Sequence, residues 1–305
     1  MASLTSILYN IVVGWITLFI FFYMLGFLLP KATFVGRALA SYFALVVSSL
    51  FGVTAAIVLR LVGYGQLSQW VVARFFKYAM LVTTGVNFVA EDPNGYLEKV
   101  RPAVFVANHQ TELDVCMLGS IFPKWCSMTA KSSLRHTPFL GWFMTLSGTI
   151  FLNRSNTAEA RKKMSGAANE IRNKRQSVYI FPEGTRSYTK DPVLLPFKKG
   201  AFHLAVQAQV PIVPIVVANY SHILWIKGLI FRSGTIPVKV LDPIPTTGMT
   251  AEDVDKLTQT TRELMLKELV ELTARARGEA NATPVSRPTN GEVVKVTGVE
   301  KRVAA

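Results

Sequence analysis

The first thirty residues carry no charged side chain, and a second uncharged stretch, Ala38–Leu59, begins after only Lys31 and Arg37. A chain that opens this way is not a water-soluble globule from its first residue. The two apolar runs, about 7–29 and 38–59, each approach the roughly 20 residues needed to cross a hydrocarbon core. A cleaved signal peptide fits the first run poorly. No basic segment precedes it, and no small-residue cleavage site intervenes before the second run. The expectation is a membrane-embedded helical hairpin over residues 1–66. It returns the chain to its starting side whether the runs span the bilayer or dip into it.

The remainder is basic. Of the net charge of +14, residues 101–250 hold 18 Lys and Arg against 7 Asp and Glu, while residues 251–305 hold 9 of each. An excess of this size attracts anions, whether nucleic acid, an anionic bilayer surface or a phosphorylated substrate. The hydrophobic runs on the same chain favour the lipid readings. No nucleic-acid-binding signature accompanies the charge, so nucleic acid is not an expected partner. The positive-inside rule places the basic domain on the cytosolic side. The two cysteines, Cys116 and Cys126, are too few for a metal cage or a disulfide framework and read as buried thiols. No metal ligand set is expected, and nothing in the sequence indicates an oligomeric state.

Residues 67–84 place Trp70, Arg74, Lys77 and Tyr78 at helical spacing among Val71, Val72, Phe75, Phe76 and Leu81. This predicts an amphipathic helix at the membrane interface, although an amphipathic core helix has the same periodicity. From Gly85 short β-branched runs recur at Ala103–Ala107, Thr149–Leu152, Val178–Phe181, Ile212–Ala218 and Val238–Leu241. Helical patterns at Thr157–Asn173 and Lys199–Ala208 separate several of them. The alternation predicts a layered α/β domain over 85–277 with a mixed, partly parallel sheet. Thr250 and Asp253 open a long helix that Gly278 ends. Residues 278–305 have the composition of a disordered tail.

Two polar clusters directly follow predicted strands, where sites in such sheets collect. The first is Asn108–Asp114, NHQTELD. Positions five apart lie about 140° apart around a helix, so His109 meets Asp114 only if the histidine sits in the strand-to-helix turn. In that geometry the carboxylate orients an imidazole able to take a proton. A helix-cap pair is the plainer alternative. The second cluster is Phe181–Ser187, FPEGTRS. Gly184 lets backbone N–H groups approach an anion, Thr185 offers a hydroxyl, and Arg186 supplies bidentate donors for phosphate. A polar turn with Glu183 and Arg186 as a surface pair is the alternative. Arg154 ends the strand-like GTIFLNR, Lys131 and Lys199 are weaker candidates, and VPIVPIVV (Val210–Val217) reads as packing or as a wall against an acyl chain.

NHQTELD, GTIFLNR, FPEGTRS and VPIVPIVV occur in the order and at about the intervals of the four motif blocks of the glycerolipid acyltransferase family. The resemblance runs from about Ser68 to Arg277 and takes in TAKSSL, PFLGWFM and LPFKKGAFHLA between the blocks. It implies the layered acyltransferase fold and a catalytic His109/Asp114 pair. Binding of the substrate phosphate by Arg154, Glu183, Gly184, Thr185 and Arg186 is also implied, with Asn108, Lys131 and Lys199 as supporting residues. Thr111 stands where serine is common and keeps the hydroxyl. Asn153 replaces the usual aspartate before Arg154. The implied activity is acyl transfer from acyl-CoA, a co-substrate rather than a cofactor, to the sn-2 hydroxyl of lysophosphatidic acid. The implied location is the endoplasmic reticulum membrane, with lipid droplets as a second, and membrane phospholipid as a partner. A sibling enzyme using glycerol 3-phosphate or another lysophospholipid, or a non-catalytic protein binding anionic lipid, are the competing expectations.

Overall fold

Strand β2 (Val104–Ala107) is the centre of the molecule, with no solvent exposure at any of its four residues. Its side chains alternate between two apolar cores, Phe105 and Ala107 on one face and Val104 and Val106 on the other. A strand buried on both faces needs helices above and below it, and apolar β-branched residues throughout. The computed structural model describes residues 3–153 and 157–279, the side chains of 157–163 excepted. Arg154 and the expected tail beyond Glu279 lie outside the described residues.

The chain begins with α1 (Leu4–Leu25), α2 (Ala32–Leu61) and α3 (Ser68–Thr84), then enters β1 (Val86–Glu91) and α4 (Tyr96–Lys99) before β2. There follow α5 (Asp114–Ile121), β3 (Cys126–Lys131), α6 (Leu140–Leu146), β4 (Ile150–Leu152), α7 (Thr157–Lys174) and β5 (Ser177–Ile180). The last part contains α8 (Gly200–Ala208), β6 (Ile212–Val217), the small hairpin β7 (Leu224–Trp225) and β8 (Ile230–Phe231), β9 (Gly234–Val240) and α9 (Val254–Arg277). Seven strands form one sheet in the order β1-β9-β6-β2-β5-β3-β4. Five of them, β6 through β4, run parallel, and β9 joins β6 antiparallel with β1 parallel to β9. The sheet is mixed and partly parallel, as the alternating runs predict. Helices α3 and α5 cover one face and α7, α8 and α9 the other.

Helices α1 and α2 are long and apolar enough to cross a membrane. Their bounds differ from the apolar runs in one informative way: Arg37, expected in the connection, lies inside α2. Its guanidinium donates to the carbonyl of Thr84 at the C-terminus of α3 and lies over the Tyr23 ring. A cation at a helix C-terminus meets orphan carbonyls and the negative end of the dipole, so the charge does not end the helix. Farther along α2, Gly52 lies against the Phe143 ring of α6 and Arg60 donates to Leu146 O at 3.0 Å. Helix α2, about 45 Å long by rise, therefore lies along the domain from beside β1 to α6. Its buried small residues are Gly36, against the α1 backbone at Phe19 and Tyr23, and then Ala40, Ala44, Ser48, Gly52 and Ala56. That spacing of small residues permits close helix approach.

Helix α3 is half core and half surface. Val72, Phe76 and Met80 are buried at four-residue spacing, while Tyr78 and Val82 are exposed. Of the two expected interfacial cations, Arg74 has inward partners: it donates to the carbonyls of Gly119 and Phe122 at the end of α5 and stacks over Trp70, whereas Lys77 lies over the exposed Tyr78 ring.

Candidate active site

Three adjacent parallel strands, β6, β2 and β5, end side by side on the same edge of the sheet. The loops leaving them bring together His109, the 181–187 turn and Tyr220. His109 lies in the turn after β2, and Asp114 is the first residue of α5. This is the placement that lets residues five apart touch. The His109 Nδ1 to Asp114 Oδ2 distance is 2.7 Å.

Asp114 is fully buried, and four donors converge on it. Oδ2 accepts from His109 Nδ1 and from the backbone N–H groups of Gln110 at 2.6 Å and Thr111 at 3.2 Å. Oδ1 accepts from the Tyr220 hydroxyl at 2.6 Å. With four donors on its two oxygens, Asp114 has no acceptor toward which a proton of its own could point, so it serves as an ionised acceptor. Nδ1 therefore carries the imidazole proton, and Nε2 is the nitrogen left to act as base. The ring stacks on Phe181, 4.1 Å between centroids at 11°. The His109 side chain keeps 13% exposure, enough for Nε2 to be reached.

Glu183 does not face outward as a phosphate ligand. It is buried, and its two oxygens accept the backbone N–H groups of His109 at 2.7 Å and Leu195 at 2.9 Å. Burial pushes its carboxyl up to about 7, against the opposing pull of those two N–H donors. It is a strut that joins the histidine loop to the loop after β5. Two backbone bonds complete the joint: Ser187 N–H donates to His109 O at 3.0 Å and Tyr188 N–H to Gln110 O at 3.2 Å. Asn108 is a second strut. It is buried, donates to Val217 O at 3.0 Å and accepts from Val217 N at 2.8 Å, fastening the end of β2 to β6.

The turn itself is closed by Gly184 N–H donating to Phe181 O at 3.1 Å, with Gly184 at φ +68°, the left-handed region that costs glycine least. Thr185 is exposed. Arg186 is half-buried at the rim, where its Nη1 donates to Glu112 Oε1 at 2.6 Å and to the Tyr188 hydroxyl at 3.0 Å. The guanidinium thus stands beside the histidine loop with a carboxylate in the place an anionic substrate group would take. Lys131 ends β3 on the same sheet edge and is exposed. Lys199 instead pairs with Asp255 at 2.7 Å, which ties the start of α8 to α9.

Sequence reasoning missed Tyr220, Phe181, Glu112 and Tyr188. Tyr220 lies 106 residues from Asp114, so no local spacing announces it. Phe181 and Glu112 stand inside the two motif clusters, and their position there was the available signal. A cavity of about 720 Å3 opens between β1, β9 and α9, at the opposite end of the strands. Among its lining charges, Lys239 pairs with Glu268 at 2.7 Å and Glu91 with Arg275 at 2.8 Å, and its lining holds no base with an orienting carboxylate.

A base fixed by a buried carboxylate, beside an arginine-bearing turn, can take a proton from a hydroxyl held next to it. The family model described as Acyltransferase matches residues 92–218, which span both clusters. An uncharacterised acyltransferase of Schizosaccharomyces pombe is 45% identical over 248 residues, 81% of this chain and 88% of that protein. The 1-acyl-sn-glycerol-3-phosphate acyltransferase of Saccharomyces cerevisiae is 41% identical over 236 residues, 77% of each. The crystal structure of the 1-acyl-sn-glycerophosphate (LPA) acyltransferase of Thermotoga maritima shares the fold. Its TM-score is 0.64 at 24% identity, over 78% of this chain and 95% of that one. The chain belongs to the acyltransferase family.

Proposed function

We propose that the protein transfers an acyl group from acyl-CoA to the sn-2 hydroxyl of lysophosphatidic acid, releasing phosphatidic acid and CoA. The observation that carries this reading is the His109–Asp114 pair with Nε2 free to act, strapped by backbone bonds to the loop that presents Arg186. His109 Nε2 takes the hydroxyl proton as the acceptor oxygen attacks the thioester carbonyl. The tetrahedral oxyanion collapses, the carbon–sulfur bond breaks, and the imidazolium returns the proton to the departing thiolate. Asp114 holds the ring and balances the imidazolium. Arg186, the 184–185 backbone and, from the family pattern, Arg154 bind the phosphate and so place the hydroxyl near the base. Glu183 and Asn108 act through the loops they fasten. The relatives' names support the acceptor, and α1 and α2 supply the membrane attachment that two amphiphilic substrates require. The endoplasmic reticulum, with the basic domain in the cytosol, is the proposed location.

The test is CoA release by the purified full-length chain with lysophosphatidic acid, glycerol 3-phosphate, lysophosphatidylcholine and monoacylglycerol offered in turn. Lysophosphatidic acid should give the highest kcat/KM and phosphatidic acid as product, and His109→Ala should abolish turnover with the fold retained. A preference for glycerol 3-phosphate, or turnover that survives His109→Ala, overturns the reading.

A further inference from the structure

Tyr220 has no part in the four motif blocks, yet its hydroxyl reaches the base's partner from the loop after a different strand, β6. The residue is buried in that loop, three positions beyond Val217, with its ring edge-on to Phe88 at 5.9 Å. The chain of donors around it is fully determined. Asp114 Oδ1 only accepts, so the Tyr220 O–H donates to it at 2.6 Å. The Tyr220 oxygen then accepts from Thr111 Oγ1–H at 2.9 Å and from Thr111 N–H at 3.2 Å. Thr111 Oγ1 in turn accepts from Leu113 N–H at 3.1 Å, at the start of α5. Burial raises the phenol well above its ordinary range, so it stays protonated as a donor.

We propose that Tyr220 is a positioning residue for acyl transfer, and that the Thr111 hydroxyl sets it: the pair pins Asp114 Oδ1 so that Oδ2 faces His109. This rests on the acyl-transfer reading of the His109–Asp114 pair but not on the identity of the acceptor. Without the phenol, Asp114 is held at Oδ2 alone, by His109 and the Gln110 and Thr111 N–H groups, and the plane of the carboxylate can tilt about its Cβ–Cγ bond. It then presents His109 with an oxygen at varying distance and angle. The phenol removes that freedom, and it takes up part of the negative charge that Asp114 would otherwise direct at the imidazole. The serine common in the family at position 111 would do the same work, because only the hydroxyl is used. The other titratable groups near the pair are Tyr179 and Glu183 from the β5 side, with Arg186 and Glu112 at the rim. None of them is altered by the variants below.

The experiment measures acyl transfer against pH for the full-length wild type, Tyr220→Phe, Thr111→Ser and Thr111→Val, with one thioester and whichever acceptor the wild type uses. Tyr220→Phe should lower kcat about ten- to a hundredfold, the effect of losing one hydrogen bond to a charged group. KM for both substrates should stay within about twofold. The acid limb of the pH–rate profile should move to higher pH, because the less neutralised carboxylate keeps the imidazolium protonated longer. Thr111→Ser should resemble wild type, and Thr111→Val should reproduce the Tyr220→Phe profile. An active wild type whose Tyr220→Phe variant keeps kcat and profile, losing only thermal stability, overturns the inference and leaves the function intact. If Tyr220→Phe does not fold, matching profiles for Thr111→Ser and Thr111→Val overturn it, and a shift confined to valine supports it. A wild type that acylates no acceptor overturns the function and the inference together.

Discussion

Arg186 is engaged by a carboxylate of its own chain. Glu112 accepts from it at 2.6 Å, and the Tyr188 hydroxyl donates to the same Glu112 oxygen at 2.5 Å. On the proposed function, an incoming phosphate competes with Glu112 for the Arg186 guanidinium. The two residues should therefore move the acceptor KM in opposite directions. Arg186→Ala should raise KM for lysophosphatidic acid about ten- to a hundredfold, with little change for acyl-CoA. Glu112→Gln should lower it by up to about fivefold, since an exposed ion pair is worth at most about 1 kcal/mol. A rise in KM with Glu112→Gln would show that the carboxylate orients the guanidinium rather than competing for it. Glu183 gives a second residue-scale prediction, on stability. Its folded carboxyl sits at about 7, above the ordinary 4.5, because burial outweighs its two N–H donors. The folded state therefore binds this proton more tightly than the unfolded one. The associated stability is full below pH ~4.5 and is lost as pH rises to about 7. Thermal unfolding of wild type and Glu183→Gln across that window should show the wild type's advantage shrinking as pH rises. A difference that does not change with pH would contradict the buried, proton-holding carboxyl. His109 and Asp114 were legible in sequence because their geometry follows from local spacing after a strand. Glu183 was legible as a residue but not in its role, because its two partners come from loops that meet only in the fold.

At the scale of elements, α3 and α5 pack closely. A Cβ built on Gly119 would lie 2.5 Å from Ala73 O and 2.4 Å from Lys77 Cβ. Backbone oxygen cannot yield as a flexible side chain can. Gly119→Ala should therefore cost about 1–3 kcal/mol by overpacking, read as a lower unfolding midpoint. Because α5 carries Asp114, the same change should also lower kcat. An unchanged midpoint would mean that α3 and α5 separate easily. The central strands were readable from their β-branched runs, whereas β1 and β3 were not. Val86–Glu91 (VNFVAE) is an edge strand, and Cys126–Lys131 (CSMTAK) is polar at alternate positions. Neither makes a continuous apolar run, and their pairing partners lie far away in sequence. The antiparallel entry of β9 was equally hidden, because direction is set by the long return from β6 rather than by any property of the strand itself.

For the whole molecule, the two ends of the chain bear on how it meets a membrane. Helix α1 has no buried residue, whereas α2 has a docked face along the domain. Attachment through α1 and the outer face of α2 is hydrophobic and insensitive to ionic screening. Attachment through the basic domain alone would weaken as the Debye length falls to about 3 Å in 1 M salt. The protein should therefore stay in the membrane pellet after high-salt and carbonate washes. Release by salt would shift the attachment to surface charge. Asn219-Tyr220-Ser221 fits the N-x-S pattern of a glycosylation acceptor, but it gives no readout of sidedness. Asn219 is 2% exposed, donates to Thr189 O at 3.0 Å and accepts from Arg277 at 2.8 Å. A glycan there is incompatible with the folded site on either side of a membrane. Protease treatment of sealed microsomes gives a positive signal instead. A tag placed after the last residue should be removed without detergent if the catalytic domain faces the cytosol. Protection of the tag until detergent is added would place the domain in the lumen and reverse the proposed topology.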